Sequence, residues 1–238
     1  PVPMEWYTKY GVRKYGFHGT SHRYITGAMQ EKLGKENVNL IICHIGSGAS
    51  ISAIKDGKSY DTTMGLTALD GLMMGTRSGS IDPSIIEYVC KETDKTVGEV
   101  TTALNKQSGF LGIAGVSDCR DVESLAKEGN ENALLALEMY SDRIAKYIAD
   151  YYLELDGKVD AIVFTAGVGE NGFAMRSAIV KKLNCIGICL DEDFNSKVAS
   201  FKDIKEGKIS SNDSKVDVYV VPTDEEVMII RDTYELVK

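Results

Sequence analysis

Residues 40–62, LIICHIGSGASISAIKDGKSYDT, contain three strand patterns in immediate succession. Leu40–Ile45 is a short apolar run, which is typical of a buried strand, and Ala49–Lys55 alternates between apolar and polar side chains. An Asp-Gly pair then signals a tight hairpin turn, so Lys58–Thr62 is the returning strand. Strands joined by such short turns pair antiparallel, and this stretch therefore predicts the antiparallel part of a sheet.

Outside this stretch, helices and strands alternate. A helix is predicted from a cap at Thr20 or Ser21 to Gly34, and further helices over residues 83–91, 96–107, 121–128 and 131–155. The order then becomes strand 160–165, helix 172–183, helix 191–200, strand 216–221 and a final helix capped by Thr223. Strands separated by helices pair parallel. The whole pattern predicts an α/β fold, a ribonuclease-H-like mixed sheet flanked by helices.

The composition places the chain among globular proteins and limits its partners. Hydrophobic residues make up 43% of the 238 residues, and the formal net charge of −8 argues against a nucleic-acid surface, which needs clustered cations. No apolar run is long enough to span a bilayer. The five cysteines form no CxxC pair, which indicates buried thiols and a cytoplasmic location. The first residue is Pro1 rather than methionine, so we expect a piece of a longer protein.

The turn after the first strand is a candidate phosphate site. In His44-Ile45-Gly46-Ser47-Gly48, two glycines let the backbone turn sharply and approach a ligand closely. Successive amides in such a turn point into one concavity, where they can bind phosphate oxygens. A plain hairpin turn would show the same pattern.

A second glycine-rich segment, TAGVGENG at residues 165–172, lies between a predicted strand and a predicted helix. Its glycines match G-x-G-x-x-G, and Asp191 follows at about the 20-residue distance where a dinucleotide fold places its ribose acid. An NAD-binding domain is therefore an alternative, although the motif comes late, after strands in hairpin order. In either case a helix N-terminus faces a nucleotide, because its free amides and dipole favour an anion.

Three further segments carry candidate chemistry. His18, beside a glycine turn in FHGTSH, suits hydrogen bonding to an anion better than metal binding, whereas His22 is interpreted as an ordinary helix residue. Arg77 lies in the glycine-rich irregular stretch 64–83, whose length indicates a functional loop, and its planar cation suits a transferring phosphoryl group. Glu225, in PTDEE, is either a first-turn acid of the last helix or a ligand of Mg²⁺.

The order and spacing of these segments resemble the acetate kinases along essentially the whole chain. The segments that stand where that family has its landmarks are KYGVRKYGFHGTSH, CHIGSGASI, GLMMGTRSGSIDP, FTAGVGEN and PTDEE. The resemblance implies a phosphotransferase that moves a phosphoryl group between ATP and acetate, giving ADP and acetyl phosphate, with Mg²⁺ as cofactor. It argues against NAD, and it implies a homodimer with no nucleic-acid or membrane partner.

The roles of individual residues follow from the resemblance by position. His18 and Arg77 match residues that stabilise the phosphoryl group during transfer, Phe17 matches a wall of the acetate pocket, and Glu225 matches a magnesium ligand. Ala68 stands where the family usually has the proline that encloses the acetate methyl group. The residues that match nucleotide contacts are His44, Ile45, Gly46, Ser47, Gly48, Asp118, Cys119, Arg120, Gly167, Val168, Gly169, Glu170 and Asn171.

The chain also departs from the family. Ser47 and Asp224 stand where asparagines are usual. Family members carry an amino-terminal domain of the same fold, which supplies a catalytic aspartate, a substrate-binding arginine and a metal-side asparagine. We therefore expect residues 1–222 to form the second kinase domain, residues 223–238 to form a helix that packs on the first, and the fragment alone to be inactive. The alternatives are a propionate or butyrate kinase, and a module that binds nucleotide or forms dimers without catalysis.

Overall fold

The computed structural model describes residues 1 to 238 and contains one six-stranded mixed sheet. Its strands are β1 (Leu40–Ile45), β2 (Ala49–Lys55), β3 (Lys58–Thr62), β4 (Ala161–Thr165), β5 (Gly207–Lys208) and β6 (Asp217–Val220), in the spatial order β3-β2-β1-β4-β6-β5. β1 pairs antiparallel with β2 and parallel with β4, and β4 pairs parallel with β6. The predicted mixed sheet flanked by helices is confirmed.

Eleven α-helices accompany the sheet. They are α1 (Met4–Tyr10), α2 (Gly19–Leu33), α3 (Ser84–Thr93), α4 (Val97–Lys106), α5 (Gly109–Ala114), α6 (Cys119–Lys127), α7 (Glu131–Glu154), α8 (Ala166–Asn171), α9 (Phe173–Leu183), α10 (Glu192–Asn195) and α11 (Glu225–Val237). None of them combines the length and the apolar character that crossing a membrane requires.

The chain folds into two compact units. The first unit comprises Pro1–Phe17 and Thr62–Tyr140, and the second comprises His18–Asp61 and Ser141–Lys238. The second unit contains nearly all of the sheet, and we call it the sheet unit; we call the first the helical unit. The predicted division at residue 222 concerns a longer protein and stays a prediction.

The apolar run Leu40–Ile45 and the strand Ala161–Thr165 form the centre of the sheet. β1 and β4 are neighbouring parallel strands and are buried at every position, as is typical of the central strands of an α/β sheet. In the core of the sheet unit, Ile25 and Met29 of α2 pack with Leu40 and Ile42 of β1, and all four side chains are fully buried. This packing fixes the start of α2 beside the strand that carries His44.

Several predicted boundaries are corrected. α2 begins directly after His18, whose backbone is left-handed, so neither Thr20 nor Ser21 is its cap. Asp224, rather than Thr223, caps α11 by accepting a hydrogen bond from the N–H of Val227 at 2.9 Å. The predicted helix over 191–200 is only Glu192–Asn195, and the predicted helix over 121–128 starts earlier, at Cys119.

Short elements account for most of the other differences. The segment after β4, predicted as a loop, is the six-residue helix α8. α1, α5, β5 and a 3-10 turn at Asn184–Ile186 were not predicted, and Gly109, expected to end a helix, begins α5 instead. These elements span one or two turns or two residues, too few for a hydrophobic period to show.

Candidate active site

Three of the predicted segments follow strands that run parallel in the sheet. β1 is followed by the glycine turn 46–48, β4 by α8, and β6 by Thr223 and Glu225. Since parallel strands end at the same edge, the sheet gathers these segments at its carboxyl edge, where α/β folds bind ligands. A β-carbon added to Gly46 would lie 3.7 Å from Cβ of Ala166, so the two glycine-rich segments are neighbours.

The glycine turn satisfies part of its own hydrogen bonding. The N–H of Gly46 donates to the carbonyl oxygen of Gly48 at 3.1 Å, so this amide is engaged within the turn. Ile45 is buried as the last residue of β1. The donors left for a phosphate are the amides of Ser47 and Gly48 and the hydroxyl of Ser47, which is a smaller set than the predicted five-residue motif.

α8 uses its polar side chains to hold itself in place. Oε1 of Glu170 accepts hydrogen bonds from the N–H of Ala166 at 2.9 Å and from the N–H of Thr223 at 3.2 Å. Oδ1 of Asn171 accepts from the amide of Ser200 at 2.9 Å. Gly167, by contrast, is exposed, and no atom lies within 4 Å of the position a β-carbon would take. The open approach for a ligand is therefore at Gly167 and the adjacent Val168.

A buried arginine fixes the other end of α8. Arg176 is fully buried and donates five hydrogen bonds, to the carbonyl oxygens of Gly169, Glu170, Asn195 and Val198 and to Oδ1 of Asn195. Burial lowers the pKa of Arg176 to about 10, so the guanidinium stays charged at neutral pH. Five donors in one rigid fork are what only arginine offers.

All three histidines of the chain meet in the sheet unit. Nδ1 of His18 lies 2.9 Å from Oγ of Ser50, and Nε2 of His22 lies 2.8 Å from the same oxygen. The rings of His18 and His44 stack with their centroids 4.1 Å apart. Strand pairing explains the meeting, because His44 on β1 stands directly opposite Ser50 on β2, while the other two histidines come from the start of α2.

The histidine cluster joins the other segments through two more hydroxyl groups. Oγ of Ser21 lies 2.8 Å from Nδ1 of His44 and 2.8 Å from Oγ1 of Thr223. The N–H of Thr223 in turn donates to Glu170 of α8. One run of hydrogen bonds, extended by the stacked rings, therefore connects FHGTSH, HIGSG, TAGVGEN and PTDEE.

Burial keeps two of the histidines neutral. It is the main reason that the pKa of His22 falls to about 3, with a smaller contribution from the nearby His44 and His18. Burial, and then His18, lowers the pKa of His44 to about 4. Neutral imidazoles can orient groups and donate hydrogen bonds, but they do not neutralise phosphate charge. The rings also do not form a metal site, and no group of three or more His, Cys, Asp or Glu side chains does.

In the helical unit, backbone hydrogen bonds hold the loop of Arg77 on both sides. The N–H of Ser108 donates to the carbonyl oxygen of Thr76, and the N–H of Ser78 donates to that of Leu104, both at 3.0 Å. Nη1 of Arg77 lies 3.4 Å from the carbonyl oxygen of Ala68. The structure thus brings the predicted cation and the predicted pocket residue together.

Two other predicted segments lie near this loop. The N–H of Tyr15 donates to the carbonyl oxygen of Gly65 at 2.9 Å, which sets the chain leading to the exposed Phe17 beside the start of the glycine-rich stretch. A β-carbon on Gly75 would lie 2.8 Å from the carbonyl oxygen of Ser117, so the segment leading to Asp118 touches the loop directly.

The Asp118-Cys119-Arg120 segment offers two polar groups rather than three. Arg120 donates hydrogen bonds to the carboxylate of Asp118 from Nε at 3.0 Å and from Nη2 at 2.6 Å. These bonds lower the pKa of Asp118 to about 2. Cys119 is buried, and burial raises the pKa of its thiol to about 12. The side chain of Cys119 therefore cannot reach a ligand, whereas those of Asp118 and Arg120 are exposed.

Glu225 is a half-buried acid that the fold leaves without a partner. The carboxylate of Asp224 caps α11, while the side chain of Glu225 forms no hydrogen bond or ion pair. Mg²⁺ in phosphate-transfer sites is held by one or two carboxylates, substrate phosphates and water. A single free carboxylate at the same sheet edge as the glycine turn meets that requirement.

Sequence reasoning did not assign a role in the site to the hydroxyl groups of Ser21, Ser50 and Thr223 or to the buried guanidinium of Arg176. Ser50 had a usable signal, since a hairpin centred on residue 47 places it opposite His44. Ser21 and Thr223 had no such signal, because they lie 202 residues apart along the chain, and neither had Arg176, whose acceptors on Asn195 and Val198 are brought to it by folding.

The comparisons with known proteins all point to one family. The sequence model of the Acetokinase family matches residues 1–231. An acetate kinase of Finegoldia magna is 50% identical over 238 residues, which are 100% of this chain and 59% of that protein. The crystal structure of Porphyromonas gingivalis acetate kinase has a TM-score of 0.93 at 44% identity, covering 100% of this chain and 59% of the other. A propionate kinase from Francisella tularensis has a TM-score of 0.90 at 46% identity, covering 96% and 57%.

The extent of these matches establishes the family of the chain, but the matches cover only part of the length of each relative. The chain spans about three fifths of the length of the relatives it matches, 59% in the case of the Finegoldia magna protein. With a family match from residue 1 to residue 231 and relatives half identical to it, the chain belongs to the acetokinase family.

Proposed function

We propose that this chain is the nucleotide-binding part of an ATP:acetate phosphotransferase, which converts ATP and acetate into ADP and acetyl phosphate. The observation that carries the proposal is the hydrogen-bonded run from the histidine cluster through Thr223 to α8, in a member of the acetokinase family. It links a candidate catalytic histidine to both glycine-rich segments at one edge of the sheet.

The nucleotide is bound by groups that the fold leaves open. The amides of Ser47 and Gly48 bind phosphate oxygens, and exposed Gly167 admits the adenosine side. Asp118 and Arg120, whose side chains are exposed, match nucleotide contacts of the family and are proposed as further polar contacts. Glu225 would hold Mg²⁺, and the bound ion would neutralise phosphate charge.

The transfer step needs charge stabilisation and no base. A carboxylate oxygen of acetate attacks the γ-phosphorus, the bond from phosphorus to the bridging β,γ-oxygen breaks, and ADP leaves with the electron pair. No proton moves, because acetate is already a carboxylate at neutral pH. A hydrogen-bond donor and one permanent cation suit such a reaction: His18 donates a hydrogen bond to the phosphoryl group, Arg77 neutralises its charge, and Phe17 and Ala68 line the acetate pocket.

The chain alone is not expected to complete this reaction. The resemblance assigns a catalytic aspartate and a substrate-binding arginine to a domain beyond the part of the relatives that this chain covers, 59% of the Finegoldia magna protein. We therefore propose nucleotide binding without turnover for the isolated chain. The homodimer and the cytoplasmic location stay predictions from the sequence.

The experiment measures nucleotide binding and turnover separately. Titration calorimetry of the chain should show binding of ADP with Mg²⁺ and none of NAD⁺, and incubation with ATP and acetate should yield no acetyl phosphate. Gly167→Val should abolish ADP binding while the chain keeps its stability, because open space surrounds that position. Gly27→Val is the matched control, since Gly27 is also helical, exposed and free of neighbours. Binding of NAD⁺, or ADP binding that survives Gly167→Val, would contradict the proposal.

A propionate kinase is the second candidate. It is favoured by the propionate kinase from Francisella tularensis, whose structure has a TM-score of 0.90 with this chain, and by Ala68, which leaves more room than proline next to Arg77. The ratio of acetate to propionate turnover, treated in the Discussion, separates the two.

A further inference from the structure

We propose that Ser50 and His22 are positioning residues that fix the tautomer of His18, so that neutral His18 carries its proton on Nε2 and keeps Nδ1 as an acceptor. The use of that Nε2–H on a phosphoryl group rests on the proposed function. The tautomer itself is a property of this chain and can be measured without any activity.

His22 is only 5% exposed. Its Nδ1 is buried and has no hydrogen-bond partner, while its Nε2 lies 2.8 Å from Oγ of Ser50. A neutral imidazole has one proton for these two nitrogens. On Nδ1 that proton would be a buried donor without an acceptor, which folded proteins almost never contain. On Nε2 it has an acceptor, so His22 donates from Nε2 to Ser50.

The hydroxyl group of Ser50 then determines which nitrogen of His18 carries the proton. Its hydroxyl group has one hydrogen, and the side chain is completely buried. The buried hydrogen of Ser50 needs an acceptor of its own, and with Nε2 of His22 acting as a donor, the acceptor in reach is Nδ1 of His18 at 2.9 Å. Nδ1 of His18 is therefore an acceptor, and the proton of the neutral ring lies on Nε2.

The surroundings hold the His18 ring in this orientation. The ring of His44 stacks on it at 4.1 Å with an interplanar angle of 18°, and the left-handed backbone of His18, with φ of 61°, sets where the side chain leaves α2. A ring flip would exchange Nδ1 for a carbon and lose the bond to Ser50. The opposite tautomer would turn a lone pair, instead of an N–H, towards phosphoryl oxygens.

Nitrogen NMR of the ¹⁵N-labelled chain tests the tautomer directly, since only three histidines contribute signals. We expect His18 and His22 both to show a protonated Nε2 and a bare Nδ1. In Ser50→Ala the His18 signals should shift towards a mixture of tautomers, and Ser50→Thr, which keeps the hydroxyl, should restore them. Ser21→Ala is the matched control: it removes a buried hydroxyl from His44 and should leave the His18 signals in place. A proton on Nδ1 of His18, or a His18 signal unchanged by Ser50→Ala, overturns the proposal.

A kinetic measurement tests the positioning role. The chain is joined to the complementary segment of the Finegoldia magna acetate kinase to give a full-length enzyme. There Ser50→Ala should lower kcat, by at most the roughly 100- to 1,000-fold that outright loss of a preorganised donor causes, with little change in the KM for ATP. Ser50→Thr should recover most of the loss. An unchanged kcat in Ser50→Ala overturns the positioning role. If the joined enzyme without substitutions is inactive while NMR confirms the tautomer of His18, the result counts against the proposed function only.

Discussion

Arg77 is held by its own backbone before any substrate binds. The β-carbon that a larger residue would place at Gly109 lies 2.1 Å from the carbonyl oxygen of Met74, so helix α5 sits directly against the Arg77 loop. Gly109 can occupy this position because it has no side chain and adopts a φ of 61°. The guanidinium therefore needs little reorganisation to meet charge that develops during transfer.

Removing that cation should lower turnover more than nucleotide binding. In the full-length enzyme, Arg77→Ala should reduce kcat by roughly 1,000-fold or more, the range known for arginines that stabilise transferring phosphoryl groups. The KM for ATP should change little, because the interaction strengthens only in the transition state. Arg120→Ala is the control, and it should weaken nucleotide binding with a smaller effect on kcat. An Arg77→Ala enzyme whose KM rises while kcat holds would show that Arg77 is a ground-state contact.

Ala68 should set the size of the acid that is accepted. Its N–H donates to no protein acceptor and its carbonyl oxygen faces Arg77, so Ala68→Pro costs no hydrogen bond of the loop. Proline should narrow the pocket and raise the preference for acetate over propionate. One methylene in an apolar pocket is worth about 1–3 kcal/mol, so the change should be modest. The measurement is the ratio of kcat/KM for the two acids in both forms, and an unchanged ratio would remove Ala68 from the pocket.

The buried histidines should make stability depend on pH. In the unfolded chain they titrate near their ordinary pKa of 6.5, whereas folding lowers the pKa of His22 to about 3 and that of His44 to about 4. Below 6.5 the unfolded state thus binds more protons, and stability falls as the pH drops. At about pH 5 the loss should be about 2 kcal/mol for each histidine. Urea unfolding at about pH 7 and pH 5 measures it, and His22→Gln should flatten the dependence. Equal slopes in both proteins would contradict the assignment.

Residue types in motifs were predictable, but their partners were not. His18, Arg77 and the glycines of the two motifs 46–48 and 167–172 could be recognised from the sequence, because few residue types suit anion binding at sharp turns. Arg176 has no local signature, since its acceptors at Asn195 and Val198 are brought to it only by folding. His22 was interpreted as an ordinary helix residue because its buried contact with Ser50 depends on how α2 packs on the sheet.

At the scale of elements, α8 is held between a carboxylate at one end and a guanidinium at the other. Glu170 ties its first residue to Thr223, and Arg176 of α9 binds the carbonyl oxygens near its end. Two glycines within six residues favour no helix by themselves. These two side chains therefore stabilise a helix that the local sequence would not form.

Arg176→Lys should test this arrangement while keeping the charge. Lysine has three donors where five bonds are made, so at least two acceptors lose their partners. We expect a loss of about 2–5 kcal/mol in the free energy of unfolding. Arg231→Lys, at an exposed position of α11, should stay within about 0.5 kcal/mol of the parent. Urea denaturation of both variants measures the difference, and two equal small effects would mean that Arg176 does not hold α8.

Elements with strong periodicity were predictable and those fixed by tertiary contacts were not. The hairpin strands and α7 lie within about a residue of their predicted bounds. The segment predicted as helix 191–200 is interrupted after Asn195, whose backbone and side chain bond to Arg176 instead of continuing a helix. A hydrophobic pattern cannot reveal such a competing partner.

On the scale of the whole molecule, the sheet unit carries the histidine cluster and both glycine-rich segments, and the helical unit carries Arg77, Ala68 and Asp118. α11 contacts α2 and is anchored by the ion pair of Arg23 and Asp232, while Ile229, Ile230 and Tyr234 on it are exposed. That this exposed face packs on a further domain stays a prediction from the sequence. The order of the motifs made the family predictable, whereas the division into units was not.

Acetyl phosphate formation by a completed enzyme tests the central claim most directly. This chain is joined to the complementary segment of the Finegoldia magna acetate kinase, which is 50% identical to it over the shared part. The complete Finegoldia magna enzyme serves as the reference. Product is measured with ATP, Mg²⁺ and acetate, for the joined enzyme and for the isolated chain. We expect acetyl phosphate from the joined enzyme, loss of that activity on Arg77→Ala, and no product from the chain alone. A folded joined enzyme that binds ATP and forms no acyl phosphate, or robust turnover by the isolated chain, would contradict it.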